Sequence, residues 1–145
     1  MDGVENLFDG LRISSSGLAA ERLRIDVITE NIANARTTRT ATGDPYRRKL
    51  VVFEPLLRKA LAGRPAEPGG GLATPRVIED FRTPFEAVQD PTHPHADASG
   101  RVEYPNVNTV VEMADLITAL RSYEANLTAQ ENFVRMAERA LELAR

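Results

Sequence analysis

The 145-residue chain contains no cysteine and no tryptophan. The absence of cysteine removes disulfides, thiolate nucleophiles and zinc–thiolate sites together, and it fits any compartment without selecting one. Aromatic residues are sparse, with five Phe and three Tyr, fewer than a large compact core usually holds. Only two histidines are present, which leaves little material for imidazole chemistry. No basic field appears either, since 18 Lys and Arg stand against 21 Asp and Glu. A nucleic-acid partner therefore has no electrostatic footprint. No window approaches the roughly 18 uninterrupted apolar residues of a membrane-spanning helix. The opening "MDGVENLFDGLRISSSG" lacks the basic region and apolar run of a cleavable secretory signal, so any exit from the cytoplasm is expected to use another route. With 42% apolar and 27% charged residues, the chain has the balance of a soluble, ordered protein of one domain, with or without extensions.

What is present is a pair of long periodic segments. Val4, Leu11, Leu18, Ile25 and Ile32 recur every seven residues, with Leu7, Ser14, Glu21, Ile28 and Ala35 interleaved. This spacing predicts a helix with one apolar stripe that packs on another helix. The stripe weakens at Ser14–Gly17 and at Glu21. Gly10 and Gly17 each cost roughly 1 kcal/mol of helix propensity relative to Ala. The isolated helix is expected to be marginal and to need a partner. Toward the other end Met113, Leu120, Leu127, Val134 and Leu141 again recur every seven residues, with Leu116, Tyr123, Gln130 and Ala137 in the second row and Ile117 beside it. No Pro or Gly interrupts that stretch, and Ala, Leu, Glu and Arg favour helix independently of packing.

The middle has another texture. "YRRKLVVFEPLL" predicts a strand near Lys49–Glu54, and further short strands are expected at Val77–Phe81, at Phe85–Val88 and ahead of Pro105. Five prolines in the later stretch keep these strands short or at sheet edges. The Pro/Gly-rich run 62–75 is expected to be a flexible loop. The fold class is therefore α+β, with long N- and C-terminal helices packed in coiled-coil fashion and a small β-rich insert between them. The expected division is an assembly helix over 1–36, the insert over 37–109 and a second assembly helix over 110–145. Two helices alone bury both stripes poorly, which points to association with further copies.

Catalytic chemistry finds no foothold. His93 and His95 sit in "DPTHPHADASG" near Asp90 and Asp97, but the setting is that of a proline-rich turn, and no metal site is expected. Gly69–Gly71 lacks the Lys-Ser/Thr of a phosphate loop. Ser14–Ser16 resembles no nucleophile elbow. No carboxylate pair lies in apolar surroundings that would raise a pKa. The chain is expected to be no enzyme and to need no cofactor, metal or small-molecule substrate.

Asn31 and Asn34 flank Ile32 in "TENIANARTTR". Asparagine competes for backbone hydrogen bonds inside helices and serves helix ends and turns well. Two readings stay open on these residues, an ordinary helix C-terminus and an Asn-mediated contact to a neighbouring helix.

The same stretch carries a resemblance. "SSGLAAERLRIDVITENIANARTTRT" resembles the N-terminal signature of the bacterial flagellar rod and hook axial proteins, with its core at Glu30–Thr37. "DPTHPHADASGRVEYPNVNTVVEMADLITALRSYEANLTAQENF" is similar to the C-terminal half of a rod member of that family. Arg101 departs from the pattern, which has Tyr after the Gly of the "ASG" turn. The chain's length suits a proximal rod component. The resemblance implies a structural subunit that polymerises in a helical tube between the inner-membrane ring and the hook. It implies an inner wall of terminal helices, an outward β-rich part, torque transmission, and export through the flagellar type III apparatus to the periplasm. The implied partners are copies of the chain, other rod proteins, the inner-membrane ring and the export gate. The implied interface runs along Leu11, Leu18, Ile25, Ile28, Asn31, Ile32 and Asn34 on the first helix, and along Met113, Leu116, Ile117, Leu120, Tyr123, Leu127, Val134 and Leu141 on the second. The competing class is a soluble helical adaptor or coiled-coil module, which shares the stripes without the polymer.

Overall fold

The computed structural model describes residues 2–53 and 75–143, with side chains described at 11, 14–53, 75–140 and 142. Helix α1 spans Asp2–Ala33. Among the described residues four short strands follow, β1 (Lys49–Val52), β2 (Arg76–Glu79), β3 (Glu86–Gln89) and β4 (Arg101–Tyr104), and helix α2 spans Thr109–Leu143. The architecture is α+β, with the N- and C-terminal helices packed against each other and the small strands between them in sequence. The expected loop 62–75 falls outside the described residues except for Pro75.

The chain divides into two compact units that cut across both helices. The first holds the described residues within Met1–Arg24, Val52–Arg76 and Thr118–Arg145. Its buried positions are small: Ser14, Gly17 and Ala20 on α1 and Ala119 on α2. Gly17 faces Asn126, so closely that a Cβ on Gly17 would stand 3.3 Å from the Asn126 Nδ2. The stretch of α1 where the apolar pattern thins is thus where small residues admit the facing helix.

The second unit holds Ile25–Val51 and Val77–Ile117. Its buried set mixes apolar Val27, Ile28 and Val102 with polar Asn31, Asp80, Asn106 and Glu112, and Tyr46 lies among them. Asn31 and Glu112 meet here.

The strands are short for local reasons. β1 pairs with β2, and β3 with β4. The second pair is antiparallel, with Glu86 opposite Tyr104 and Gln89 opposite Arg101. Its connection is built by carboxylate turns. Asp97 accepts hydrogen bonds from the Ser99 and Arg101 amides at 2.8 and 2.9 Å. Asp90 accepts from the Thr92 amide and hydroxyl at 3.1 and 2.7 Å. Gly100 adopts φ +75°, a conformation that glycine takes without steric cost. A Cβ there would also press on Gln89 and Pro91.

Candidate assembly joint

The residues Asn31 and Asn34 anchor the end of α1 in different ways. Asn34 works locally. Its Nδ2 donates to the Glu30 carbonyl at 3.0 Å and its Oδ1 accepts from the Thr37 hydroxyl at 3.2 Å. No non-glycine residue among those described has positive φ, so α1 ends through this side chain and the turns at 34–36, without a left-handed capping residue. Asn34 follows the first of the two sequence readings.

Asn31 follows the second. It is 1% exposed and fills its whole hydrogen-bonding capacity. Its Nδ2 donates to the Lys49 carbonyl at 2.9 Å and to Glu112 Oε2 at 3.1 Å. Its Oδ1 accepts from the Lys49 amide at 2.9 Å and from the Tyr46 hydroxyl at 3.0 Å. One side chain thereby binds the end of α1 to the head of β1, to the loop before it and to the first turn of α2.

Glu112 is the second hub, also 1% exposed. Arg48 Nε and Nη2 both reach Glu112 Oε1 at 2.6 Å, while Nη2 lies 3.8 Å from Asp115 Oδ2. A carboxylate in the first turn of a helix is also favoured by the dipole. Asn108 caps the same turn, with its Oδ1 accepting from the Val110 and Val111 amides. Such a buried ion pair adds little stability relative to an apolar core, but removing one partner costs about 3–5 kcal/mol because the other is stranded. Tyr46 completes the cluster. Burial, followed by the charges of Glu30, Glu112 and Glu79, pushes its phenol up to about 12.

A second tier steadies the strand side. Asn106 accepts the Arg48 amide at 2.8 Å and donates to the Asp80 and Thr83 carbonyls, both at 3.0 Å. Asp80 accepts from the Thr83 hydroxyl and from the Arg82 and Thr83 amides, which holds its carboxyl below the ordinary carboxylate range. Arg47 lies over the rings of Phe85 and Phe81, at 4.1 and 4.7 Å from their centroids.

The remaining sequence-derived positions separate into faces. On α1, Ile28 is buried and Leu11, Leu18, Ile25 and Ile32 are half-buried. On α2, Leu116 and Tyr123 are half-buried, whereas Met113, Ile117, Leu120, Leu127 and Val134 stand exposed, between 42% and 54%. The side chain of Leu141 lies outside the described set. The α2 row turned inward is offset by one position, at Glu112, Ala119 and Asn126. The offset leaves an apolar stripe on the outside, flanked at Leu127 and Val134 by Gln130, Glu131, Arg135 and Glu138.

His95 Nδ1 lies 2.8 Å from the Thr38 hydroxyl, and His93 Nδ1 accepts the His95 amide at 3.1 Å. These rings tie the hairpin turn to the chain leaving α1. Among the described residues, no group of three or more His, Asp or Glu side chains is arranged to hold a metal ion. Sequence reasoning missed Tyr46, Arg48, Asn106 and Glu112. The runs quoted for the resemblance contain Asn106 and Asn108 in "YPNVN" and Glu112 at the head of "EMADLI", and were the signal that could have found these members.

Comparison with known proteins places Asn31 and Asn34 in one matched segment and Asn106, Asn108 and Glu112 in another. Residues 11–39 match the family described as "Flagella basal body rod protein". Residues 98–143 match "Flagellar basal body rod FlgEFG protein C-terminal". The chain is similar to the flagellar basal-body rod protein FlgC of Borreliella burgdorferi, with 41% identity over 93% of this chain and 95% of that protein. It is similar to FlgC of Bacillus subtilis, at 40% identity over 95% and 98%. FlgC of Aquifex aeolicus is 36% identical over 94% and 96%.

Proposed function

The chain belongs to the FlgC family of flagellar basal-body rod proteins, and on that premise we propose how it serves as a structural subunit of the rod. It assembles through its terminal helices, with copies of itself and other rod proteins as neighbours. In this reading 1–36 and 110–145 are the assembly segments and 37–109 faces away from the tube axis. The rod so formed transmits torque and surrounds an export channel. It crosses the periplasm, with the inner-membrane ring and the export gate at its base. The chain carries no catalytic role.

The observation that supports this most is the outer stripe of α2. Leu120, Leu127 and Val134 keep heptad spacing yet stand 42–43% exposed, one position off the row that α2 turns inward. Exposing one such residue is ordinary, but a periodic row of them suits a helix-in-groove contact. Ordering of the outer helical turns on that contact would couple folding to assembly, at a cost in affinity. Leu120→Asp tests it. The substitution lies at an exposed position, so the isolated chain is expected to keep its fold. Incorporation into purified basal bodies and swimming motility are expected to be lost. Normal incorporation of Leu120→Asp would refute the stripe. Absence of the parent chain from purified basal bodies would favour the adaptor reading instead.

A further inference from the structure

The buried polar cluster in the second unit supports a conclusion that does not depend on the rod reading. We propose that Asn31, Tyr46, Arg48 and Glu112 form a conformational latch. It makes the last turns of α1, the head of β1 and the first turns of α2 open and close as one cooperative event, separately from the outer turns of the same helices.

The argument is one of complete hydrogen-bond accounting. Asn31 spends both amide protons and both acceptor sites on three different segments. Glu112 accepts from Asn31 through one oxygen and from Arg48 through the other. The Arg48 amide is itself held by Asn106. If the end of α1 frays alone, the Tyr46 hydroxyl, the Lys49 amide and one Glu112 oxygen lose partners. If β1 leaves alone, Asn31 and Glu112 are stranded while buried. A buried polar group without a partner costs far more than its bond contributes when made. No member can therefore depart cheaply, and the cheapest opening releases them all.

The outer turns are packed differently. Their described buried residues are Ser14, Gly17, Ala20 and Ala119, small side chains that each remove little apolar area. Regions with little buried area open at lower free energy than a core with a closed polar network. The boundaries fall at Arg24/Ile25 on α1 and at Ile117/Thr118 on α2, where the compact units divide. Anything that engages the head of β1 is linked through the latch to the inner helical turns, and the linkage is reciprocal.

Amide hydrogen exchange on the full-length chain tests this, comparing the parent with Tyr46→Phe and Asn31→Ala. Tyr46→Phe removes one hydroxyl and keeps the ring. It is expected to raise exchange about tenfold, the effect of roughly one hydrogen bond, and equally in 25–33, 46–51 and 109–117. Exchange in 118–140 is expected to stay unchanged. Asn31→Ala should show the same pattern with a larger factor. If it does not fold, Tyr46→Phe decides alone. Acceleration confined to the neighbourhood of residue 46 would overturn the proposal, because the cluster would then be a set of independent bonds. Equal acceleration in 118–140 would overturn it too, because the helices would then open end to end.

Discussion

Asn31 shows how much one polar side chain can decide when it is buried with every bond made. Its Nδ2 stands 3.1 Å from Glu112 Oε2, so Asn31→Asp replaces a donor by a second carboxylate oxygen at the same distance. Two carboxylates that close cannot both stay ionised at low cost. The variant is expected to lose about 2–4 kcal/mol at pH 7, in line with a disrupted buried charge pair. A proton shared by the pair binds more tightly folded than unfolded, so the loss should shrink as pH falls. Urea midpoints at pH 7 and pH 5 measure both the loss and its slope. Tyr46 gives the opposite end of the scale. Its phenol rises from an ordinary value near 10 to about 12 in the folded chain. A raised folded value means a contribution that is complete below pH 10 and is lost as pH climbs through 12. Stability followed by circular dichroism should fall in that window for the parent, and Tyr46→Phe should flatten the fall.

Among the elements, the helices were the most legible in the sequence, because heptad spacing survives over four repeats in each. The strands were visible as β-branched clusters at Leu50–Val52 and Val77–Ile78, with prolines explaining their brevity. The seam was less legible. Apolar periodicity marked two rows, one through Met113, Leu120, Leu127 and Val134 and one through Leu116 and Tyr123; the second is half-buried and the first stands more exposed, while α2 turns Glu112, Ala119 and Asn126 inward. A hydrophobic pattern cannot announce a seam built from small residues and a paired charge, since neither scores as apolar. Ser14–Gly17 accordingly read as a weak spot and is a place of close approach. Gly17→Ala probes this. Alanine adds up to about 1 kcal/mol of helix propensity, but its Cβ meets Asn126 at 3.3 Å. That contact is with the end of a side chain able to shift. The single substitution is expected to change stability by less than about 0.5 kcal/mol, and Gly17→Ala with Asn126→Ala to raise it relative to Asn126→Ala alone by about 1 kcal/mol. Thermal midpoints of the three variants check the pair.

At the scale of the whole molecule, the family signature was readable because it lies in short runs of sequence. The joint was not, because its members are distant. Arg48 and Glu112 are separated by 64 residues and Asn31 and Glu112 by 81, with no periodicity to connect them. What the molecule combines is a closed polar joint inside one unit and an open apolar stripe along α2. The first has its hydrogen bonds made within the chain, and the second stands between 42% and 54% exposed. The central claim, that this stripe is the assembly surface, can be measured by placing a single thiol at Leu127→Cys in a chain that has no other cysteine. A maleimide probe is expected to label Cys-substituted position 127 readily in the free chain and hardly at all in purified basal bodies, with an exposed insert position, Arg101→Cys, labelled in the free chain as the reactivity control. Equal labelling of position 127 in the free chain and in the rod would contradict the account.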